Sequence, residues 1–129
     1  MGLIKEKLLI KGDKASKDLT VLFDSGASMS VIHKDLAEGL CTINYFDKPK
    51  AMELADGVTT VKAIGTCAFV AGIEGCDIDD DMRVVEKLGS EMIIGASTLQ
   101  KHKIKMVFDE DEKKNKLDLS ECKTRIDRL

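Results

Sequence analysis

Asp24, Ser25 and Gly26 are the residues of this 129-residue chain whose types and spacing most directly suggest chemistry. They follow the largely apolar stretch Leu19–Phe23, which is typical of a buried strand. Ser and Gly favour a sharp turn, because glycine frees the backbone and a short hydroxyl can bond back to it. Such a turn would hold the Asp24 carboxylate at the end of the strand, where it could accept or donate a proton. The same triplet is also common in ordinary surface turns.

Two further segments would have to position this turn and cover it. Ala55, Asp56 and Gly57 lie between two strand-like segments and predict the turn of a hairpin. The run Glu91–Gly95 has an apolar centre and ends in glycine, which predicts a second buried strand. Residues 96–102 follow with apolar and small residues at near-helical spacing and predict a short helix.

The rest of the chain has the pattern of short strands separated by turns. The expected strands cover residues 3–10, 18–23, 29–32, 51–54, 58–64, 66–73, 82–85, 91–94, 103–109 and 116–119. Residues 34–40 predict a helical turn or two. So many strands with one convincing helix, in the C-terminal half, predict an all-β fold built as a small closed or folded-over barrel.

Composition favours a small single-domain protein. The chain is 43% hydrophobic, which is enough to form a core. Its net charge of -3 gives no reason to expect nucleic acid or a membrane surface as a partner, because both favour basic patches. We find neither a signal segment at the N-terminus nor an apolar run long enough to span a membrane, which predicts a soluble, cytoplasmic protein.

Four cysteines and one acidic run raise the question of metals and disulfides. The cysteines contain no C-x-x-C pair, so we predict reduced thiols in or near the core and no zinc site: Cys41, Cys67, Cys76 and Cys122. Residues 77–81 are rich in carboxylates but lack the spacing of an EF-hand loop, so we interpret them as a solvated turn. No metal or organic cofactor is expected.

Taken together, these segments resemble the motifs of the retropepsin-like aspartic proteases. Val21–Ser28 resembles the active-site motif of that family, in which apolar residues precede Asp-Ser/Thr-Gly-Ala. Met52–Val58 stands where the family has its mobile flap. Met92–Gly95, with a following helix that contains Leu99, resembles the strand that packs beneath the active-site loop. The motifs occur in the family's order across roughly residues 3–120.

The resemblance implies an acid-protease barrel that hydrolyses polypeptides without a cofactor. Two carboxylates a few ångströms apart can share one proton, because like charges cannot both ionise. The ionised member then takes a proton from water while the protonated member polarises the substrate carbonyl. This chain has one Asp-Ser-Gly turn, so the enzyme would need Asp24 from each of two chains at the two-fold axis of a homodimer.

The resemblance also implies a role for each residue of the motifs. Asp24 would be the catalytic acid and base, Ser25 would bond across the two loops, and Gly26 would permit the turn. The substrate would be contacted by Ala27, Ser28, Ala55, Asp56 and Gly57.

The chain departs from the family's pattern in places. Ser28 stands where the family often has an acidic residue, and Ala96 stands where viral forms have an Arg. The ion-pair network of that Arg must therefore be absent or replaced. We expect residues 1–120 to form the domain, and the charged residues 121–129 to form a tail that is disordered or lies at the dimer interface. The alternative function is a catalytically silent dimeric peptide-binding or scaffolding module on the same fold.

Overall fold

The strands of the chain form a closed six-stranded barrel with a seventh strand beside it. The computed structural model describes residues 3–54 and 57–124. The strands are β1 (Ile4–Lys11), β2 (Ser16–Phe23), β3 (Val31–His33), β4 (Asn44–Glu53), β5 (Thr60–Ile73), β6 (Cys76–Val85), β7 (Met92–Ile94), β8 (Lys105–Val107) and β9 (Lys116–Asp118). The helices are α1 (Lys34–Leu40), α2 (Ala96–Lys101) and α3 (Ser120–Thr124), with a single 3₁₀ turn at Glu112–Lys114.

The barrel closes between its first and fifth strands. The order around the ring is β1-β2-β7-β3-β6-β5, and Ile10 of β1 pairs with Ala71 of β5 to complete it. β4 pairs with β5 at the end of the sheet and lies outside the ring. β8 and β9 form a separate hairpin. The barrel of short strands predicted from the sequence is thus confirmed as a mostly-β barrel.

Alternating burial explains why the long strand β5 forms. Side chains of a strand point to opposite faces in turn, so a strand against a core buries every second residue. β5 buries Val61, Ala63, Gly65, Cys67, Phe69, Ala71 and Ile73, whereas the residues between them are exposed or half-buried.

Two apolar clusters form on opposite faces of the sheet near β2 and β7. Val21 and Phe23 point into the main cluster inside the barrel, together with Met92. Leu22 and Ile93 point the other way, into a second cluster. We call this the outer cluster: its buried members are Leu22, Val31, Val61, Ala63, Val85 and Ile93, and half-buried Ala27, Phe46, Met52, Leu54 and Leu88 pack against it. β2, which precedes the Asp-Ser-Gly turn, and its neighbour β7 are therefore covered on both faces.

The acidic run at residues 77–81 is part of a strand, and its interpretation as a turn was wrong. These residues lie within β6 and pair with residues 68–72 of β5. Ile78 and Met82 are buried, so the run keeps the alternation of a strand: Asp77, Asp79 and Asp81 are exposed, whereas half-buried Asp80 lies on the same side as Ile78 and Met82. The actual turn is formed by Glu74 and Gly75, both with positive φ angles. Charge on the solvent face concealed the period-two pattern.

The prediction of four reduced cysteines was wrong for two of them. Cys76 and Cys122 form a disulfide with a Cα–Cα separation of 5.5 Å, which attaches α3 to the first residue of β6. Cys41 and Cys67 are buried free thiols, and burial raises the pKa of each. Disulfides are typical of oxidising compartments, so this bond argues against the reducing environment that the sequence suggested.

The helices exceed the one short helix of the predicted fold class. α2 forms as predicted, and α1 covers residues 34–40, where a helical turn or two was expected, whereas α3 was not predicted. α3 lies at the start of the predicted tail, where Cys122 is buried, and residues 125–129 lie outside the described part of the chain. Among the described residues, we find no helix long and apolar enough to cross a membrane.

Candidate active site

The Asp24 turn begins where two buried strands end side by side. Phe23, the last residue of β2, pairs in parallel with Ile94, the last residue of β7. The backbone N–H of Asp24 donates to the Ile94 carbonyl at 3.0 Å and so continues the ladder by one bond. β7 also pairs with β3 on its other side, which fixes it in the middle of the sheet. The sheet thereby determines where the Asp24 backbone lies.

The Asp24 carboxylate is nearly buried but only partly hydrogen-bonded. The residue is 8% exposed. Its Oδ1 accepts a hydrogen bond from the Gly26 N–H at 2.9 Å, and its carbonyl accepts one from Ala27 N–H at 3.2 Å. None of the described residues donates a hydrogen bond to Oδ2. Oδ2 is not among the buried side-chain atoms of the described residues that lack a partner, so it is open to solvent and available for a group from outside the chain.

The start of α2 holds the far side of the turn. The Ala96 N–H donates to the Ala27 carbonyl at 2.7 Å, and the Ser97 N–H donates to the Ser28 carbonyl at 3.0 Å. The first N–H groups of a helix have no partners within the helix, so they are free to make these bonds. A rigid element therefore positions the turn through its main chain.

Gly95 is required for this close packing. A β-carbon added there would lie 2.5 Å from the Met29 carbonyl oxygen and 2.7 Å from that of Ala27. Both neighbours are backbone atoms that cannot rotate away. The glycine that ended the predicted strand therefore lets α2 approach the turn.

A buried hydrogen-bond chain runs beneath the turn, and the sequence did not reveal it. The Gly95 N–H donates to Ser30 Oγ at 3.1 Å, and Ser30 Oγ lies 2.6 Å from Thr98 Oγ1. Thr98 Oγ1 donates to Asp80 Oδ2 at 2.7 Å, so Ser30 can donate to Thr98 in turn. Lys101 Nζ lies 3.7 Å from Asp80 Oδ1 and completes the chain.

Two members of this chain, Thr98 and Lys101, belong to α2, and the first residue of α2, Ala96, stands where viral forms have an Arg. The chain consists of two hydroxyls and one ion pair, and both hydroxyl residues, Ser30 and Thr98, are almost fully buried. A hydroxyl within an apolar segment is the signal that could have marked each position. Their contact could not have been predicted, because 68 residues separate them in sequence.

An open cleft of about 600 Å³ lies beside the turn. One wall is the turn itself, through Gly26, Ser28 and Met29, and another is the end of β4, residues 50–54. Arg83 of β6 also lines the cleft. Half-buried Met52 and Leu54 of this wall also pack against the outer cluster. The cleft thus combines a partly apolar wall with charged positions.

The predicted site residues are brought together only in part. Ser25 is exposed at the turn, Ala27 packs on the outer cluster, and Gly26 and Ser28 line the cleft. Gly57 has a φ of 71° and donates its N–H to the Leu54 carbonyl at 3.0 Å, as expected for a hairpin turn. Ala55 and Asp56 lie outside the described residues.

The Asp24 turn defines the chemistry that the described residues of a single chain can offer. Asp24 is the carboxylate that the Asp-Ser-Gly turn provides. In residues 3–54 and 57–124, no group of three or more His, Cys, Asp or Glu side chains could hold a metal ion. A carboxylate that binds water and exchanges a proton is the chemistry that this geometry can provide.

The fold has counterparts among solved structures. The retroviral protease-like domain of Ddi1 from Leishmania major is 19% identical, with a TM-score of 0.55, and the match covers 85% of this chain and 83% of that one. The EIAV protease in complex with the inhibitor HBY-793 is 21% identical, with a TM-score of 0.59, and the match covers 81% of this chain and 92% of that one. No protein-family model and no curated protein sequence matches the chain. The similarity shows a retropepsin-like fold, as the motifs predicted.

Proposed function

We propose that this chain, which has the retropepsin-like fold, is a homodimeric aspartic endopeptidase whose catalytic carboxylates are Asp24 and its copy in a second chain. The observation that carries the proposal is the state of Asp24. Its carboxylate is 8% exposed, is fixed by its own turn, and has an oxygen to which none of the described residues donates a hydrogen bond. This oxygen is open to solvent, so it can bind a water molecule or a group from a second chain.

The reaction needs the two carboxylates to differ in protonation. Placed a few ångströms apart, they share one proton, because the second ionisation is opposed by the charge of the first. The ionised carboxylate accepts a proton from the attacking water, and the protonated one donates a hydrogen bond to the carbonyl of the scissile bond.

The residues around Asp24 would restrain the turn and contact the substrate. Ser25 would hydrogen-bond across the two turns of the dimer. Gly26 and Ser28 line the cleft, so their backbones would face the substrate, with Ala27 behind them. Ala55, Asp56 and Gly57, which lie between β4 and β5 in the sequence, would close over the substrate and exclude water.

The outer edge of β4 supports an extended polypeptide as the substrate. Among the described residues β4 is the last strand of the sheet, and residues 50–53 of β4, with Leu54 just beyond it, line the cleft. A peptide added along such an edge forms main-chain hydrogen bonds of the β type, which give affinity for any sequence. The side chains of the peptide then alternate between the walls of the cleft.

The test compares purified wild-type protein with the Asp24→Asn variant. We expect the wild-type protein to cleave an unfolded protein or a peptide library at mildly acidic pH, within a range of about pH 3 to pH 8. Asp24→Asn should abolish cleavage, and a statine-type transition-state mimic should block it. Sedimentation should find the active protein as a dimer.

Two outcomes would contradict the proposal. A protein that stays monomeric at micromolar concentration could not form the dyad. A folded dimer that binds peptides but cleaves none of them would support the second candidate, the silent peptide-binding module. The open cleft and the free edge of β4 would serve that candidate as well.

A further inference from the structure

Two cationic side chains lie against one aromatic ring at the cleft. The Nζ of Lys50 lies 4.4 Å from the centroid of the Phe46 ring, and the guanidinium carbon of Arg83 lies 5.1 Å from it. Phe46 itself is half-buried against the outer cluster. Attraction to the ring restrains each cation without using its N–H donors.

The same two cations line the cleft in which we propose that a polypeptide binds. Glu53 is the acidic residue that lines it with them. No carboxylate of the described residues forms an ion pair with Lys50 or Arg83. The residues that line the cleft therefore include two restrained cations, Lys50 and Arg83, and one carboxylate, Glu53. The N–H donors of the two cations remain available to a ligand.

We propose that Lys50 and Arg83 form a subsite for an acidic side chain, Asp or Glu, of the polypeptide substrate. This inference rests on the proposed function, because it takes the cleft to be the binding site of an extended chain. A guanidinium presents its donors as a planar fork that matches a carboxylate, and the ammonium adds a second charge. Because Phe46 already restrains both side chains, little further ordering is needed when the carboxylate arrives.

The position of the subsite along the substrate follows from the strand. Lys50 precedes Leu54, at the base of the hairpin turn, by four residues, which is about 13 Å of strand. If the substrate runs along β4 with its scissile bond level with Leu54, the acidic side chain lies about four residues away from that bond. In a two-fold symmetric dimer the subsite is present twice, so the preference occurs on both sides of the scissile bond.

The experiment uses matched peptides that differ only by Glu or Gln at one position, scanned along the sequence. For the wild-type protein we expect kcat/KM to be about tenfold higher for the Glu peptide at the favoured position. The preference should decrease in high salt, because the subsite is open to solvent. The double variant Lys50→Gln, Arg83→Gln should cleave both peptides equally. Lys17→Gln, a change to an exposed lysine of β2 outside the cleft, should retain the preference.

The outcomes separate this proposal from the proposed function. Equal cleavage of Glu and Gln peptides by the wild-type protein at every position overturns the subsite while the protease stands. If nothing is cleaved, fluorescence anisotropy with the same labelled peptides decides: tighter binding of the Glu peptide supports the subsite, and equal binding overturns it.

Should the double variant fail to fold, Arg83→Lys keeps the charge but removes the planar fork of the guanidinium, and it should lower the preference for the Glu peptide. An unchanged preference in that variant would exclude the guanidinium from the subsite.

Discussion

Asp13 and Asp24 lie in similar turns but have opposite environments. Each follows a strand, and each turn contains a glycine. The exposed carboxylate of Asp13 accepts hydrogen bonds from the N–H of Thr42 at 2.6 Å and from its hydroxyl at 2.5 Å. The Thr42 hydroxyl, followed by its N–H, holds the pKa of Asp13 below its ordinary value. Asp24 is nearly buried, and its carboxylate accepts one bond, from its own turn.

The difference shows how a structural carboxylate can be told from one that is available for chemistry. Asp13 uses its side chain to hold two loops together, so both of its oxygens are occupied. The Asp24 turn is held instead by main-chain bonds from α2 and β7. Its side chain makes one bond within the turn, through Oδ1, and none of the described residues donates to Oδ2. The predictions below test this separation, beginning with the largest expected effect.

The first prediction compares Asp24→Asn with Asp13→Asn in peptide hydrolysis. Asp24→Asn should lower the rate by at least about a thousandfold, because it removes the proton-transferring group. Asp13→Asn should leave hydrolysis unchanged at temperatures where the variant is folded. Initial rates on one fluorogenic peptide measure both. Comparable losses in the two variants would remove the distinction between the carboxylates.

The second prediction concerns the main-chain support of the Asp24 turn. Gly95→Ala should destabilise the fold by about 2–3 kcal/mol, because the new β-carbon meets backbone atoms, and it should also impair hydrolysis. Gly39→Ala is the matched control, since a β-carbon in that helix meets nothing within 4 Å. It should stabilise the protein by about 0.5–1 kcal/mol. Urea unfolding measures both, and a neutral Gly95→Ala would refute the packing argument.

The third prediction compares a buried hydroxyl with an exposed one. Thr98→Val removes the hydroxyl oxygen to which the buried Ser30 hydroxyl can donate, and only the bond from the Gly95 N–H remains to Ser30 Oγ. This loss should lower the unfolding free energy by about 1–3 kcal/mol. Thr42→Val removes the hydroxyl that donates to Asp13, but water can replace it at the surface. The midpoint of urea unfolding should therefore move further for Thr98→Val. A larger shift for Thr42→Val would reverse the assigned importance of the two networks.

The smallest expected effect is the pH dependence of stability due to Asp13. Its pKa is lowered in the folded protein from an ordinary value of 3.8, so the folded state favours the ionised carboxylate. The stabilisation is therefore present above 3.8 and is lost as the pH falls through the folded pKa. The difference in urea midpoint between wild type and Asp13→Asn should shrink over that range. A difference that stays constant with pH would exclude this linkage.

The elements that the sequence predicted well are those with a continuous apolar run. Val21–Phe23 before Asp24 and Met92–Ile94 before Gly95 are such runs, and both strands form close to their predicted positions. Residues 77–81 were assigned to a turn because their charged face hid the apolar one. Local pattern was enough for the first two segments and insufficient for the third.

Contacts between distant segments were beyond the sequence. The pairing of Cys76 with Cys122 depends on where α3 docks, and four cysteines alone allow several connectivities. Ser30 and Thr98 meet only after the barrel has formed. The motif identified Asp24 as a candidate. What distinguishes Asp24 from Asp13 is that none of the described residues donates a hydrogen bond to its Oδ2, and this depends on the fold. Charge at the cleft from Lys50 and Arg83 likewise depends on the fold.

The disulfide has a consequence for any cut in the C-terminal half of the chain. Cys76 and Cys122 are 46 residues apart, and the segment between them contains β7, α2 and the exposed hairpin loop at residues 108–115. A protease that cleaves this loop, including a second copy of the same enzyme, would leave two fragments joined by the sulfur bridge. Such nicked molecules would migrate as intact protein on a gel until reductant separated them. Damage to a preparation would thus be visible only under reducing conditions.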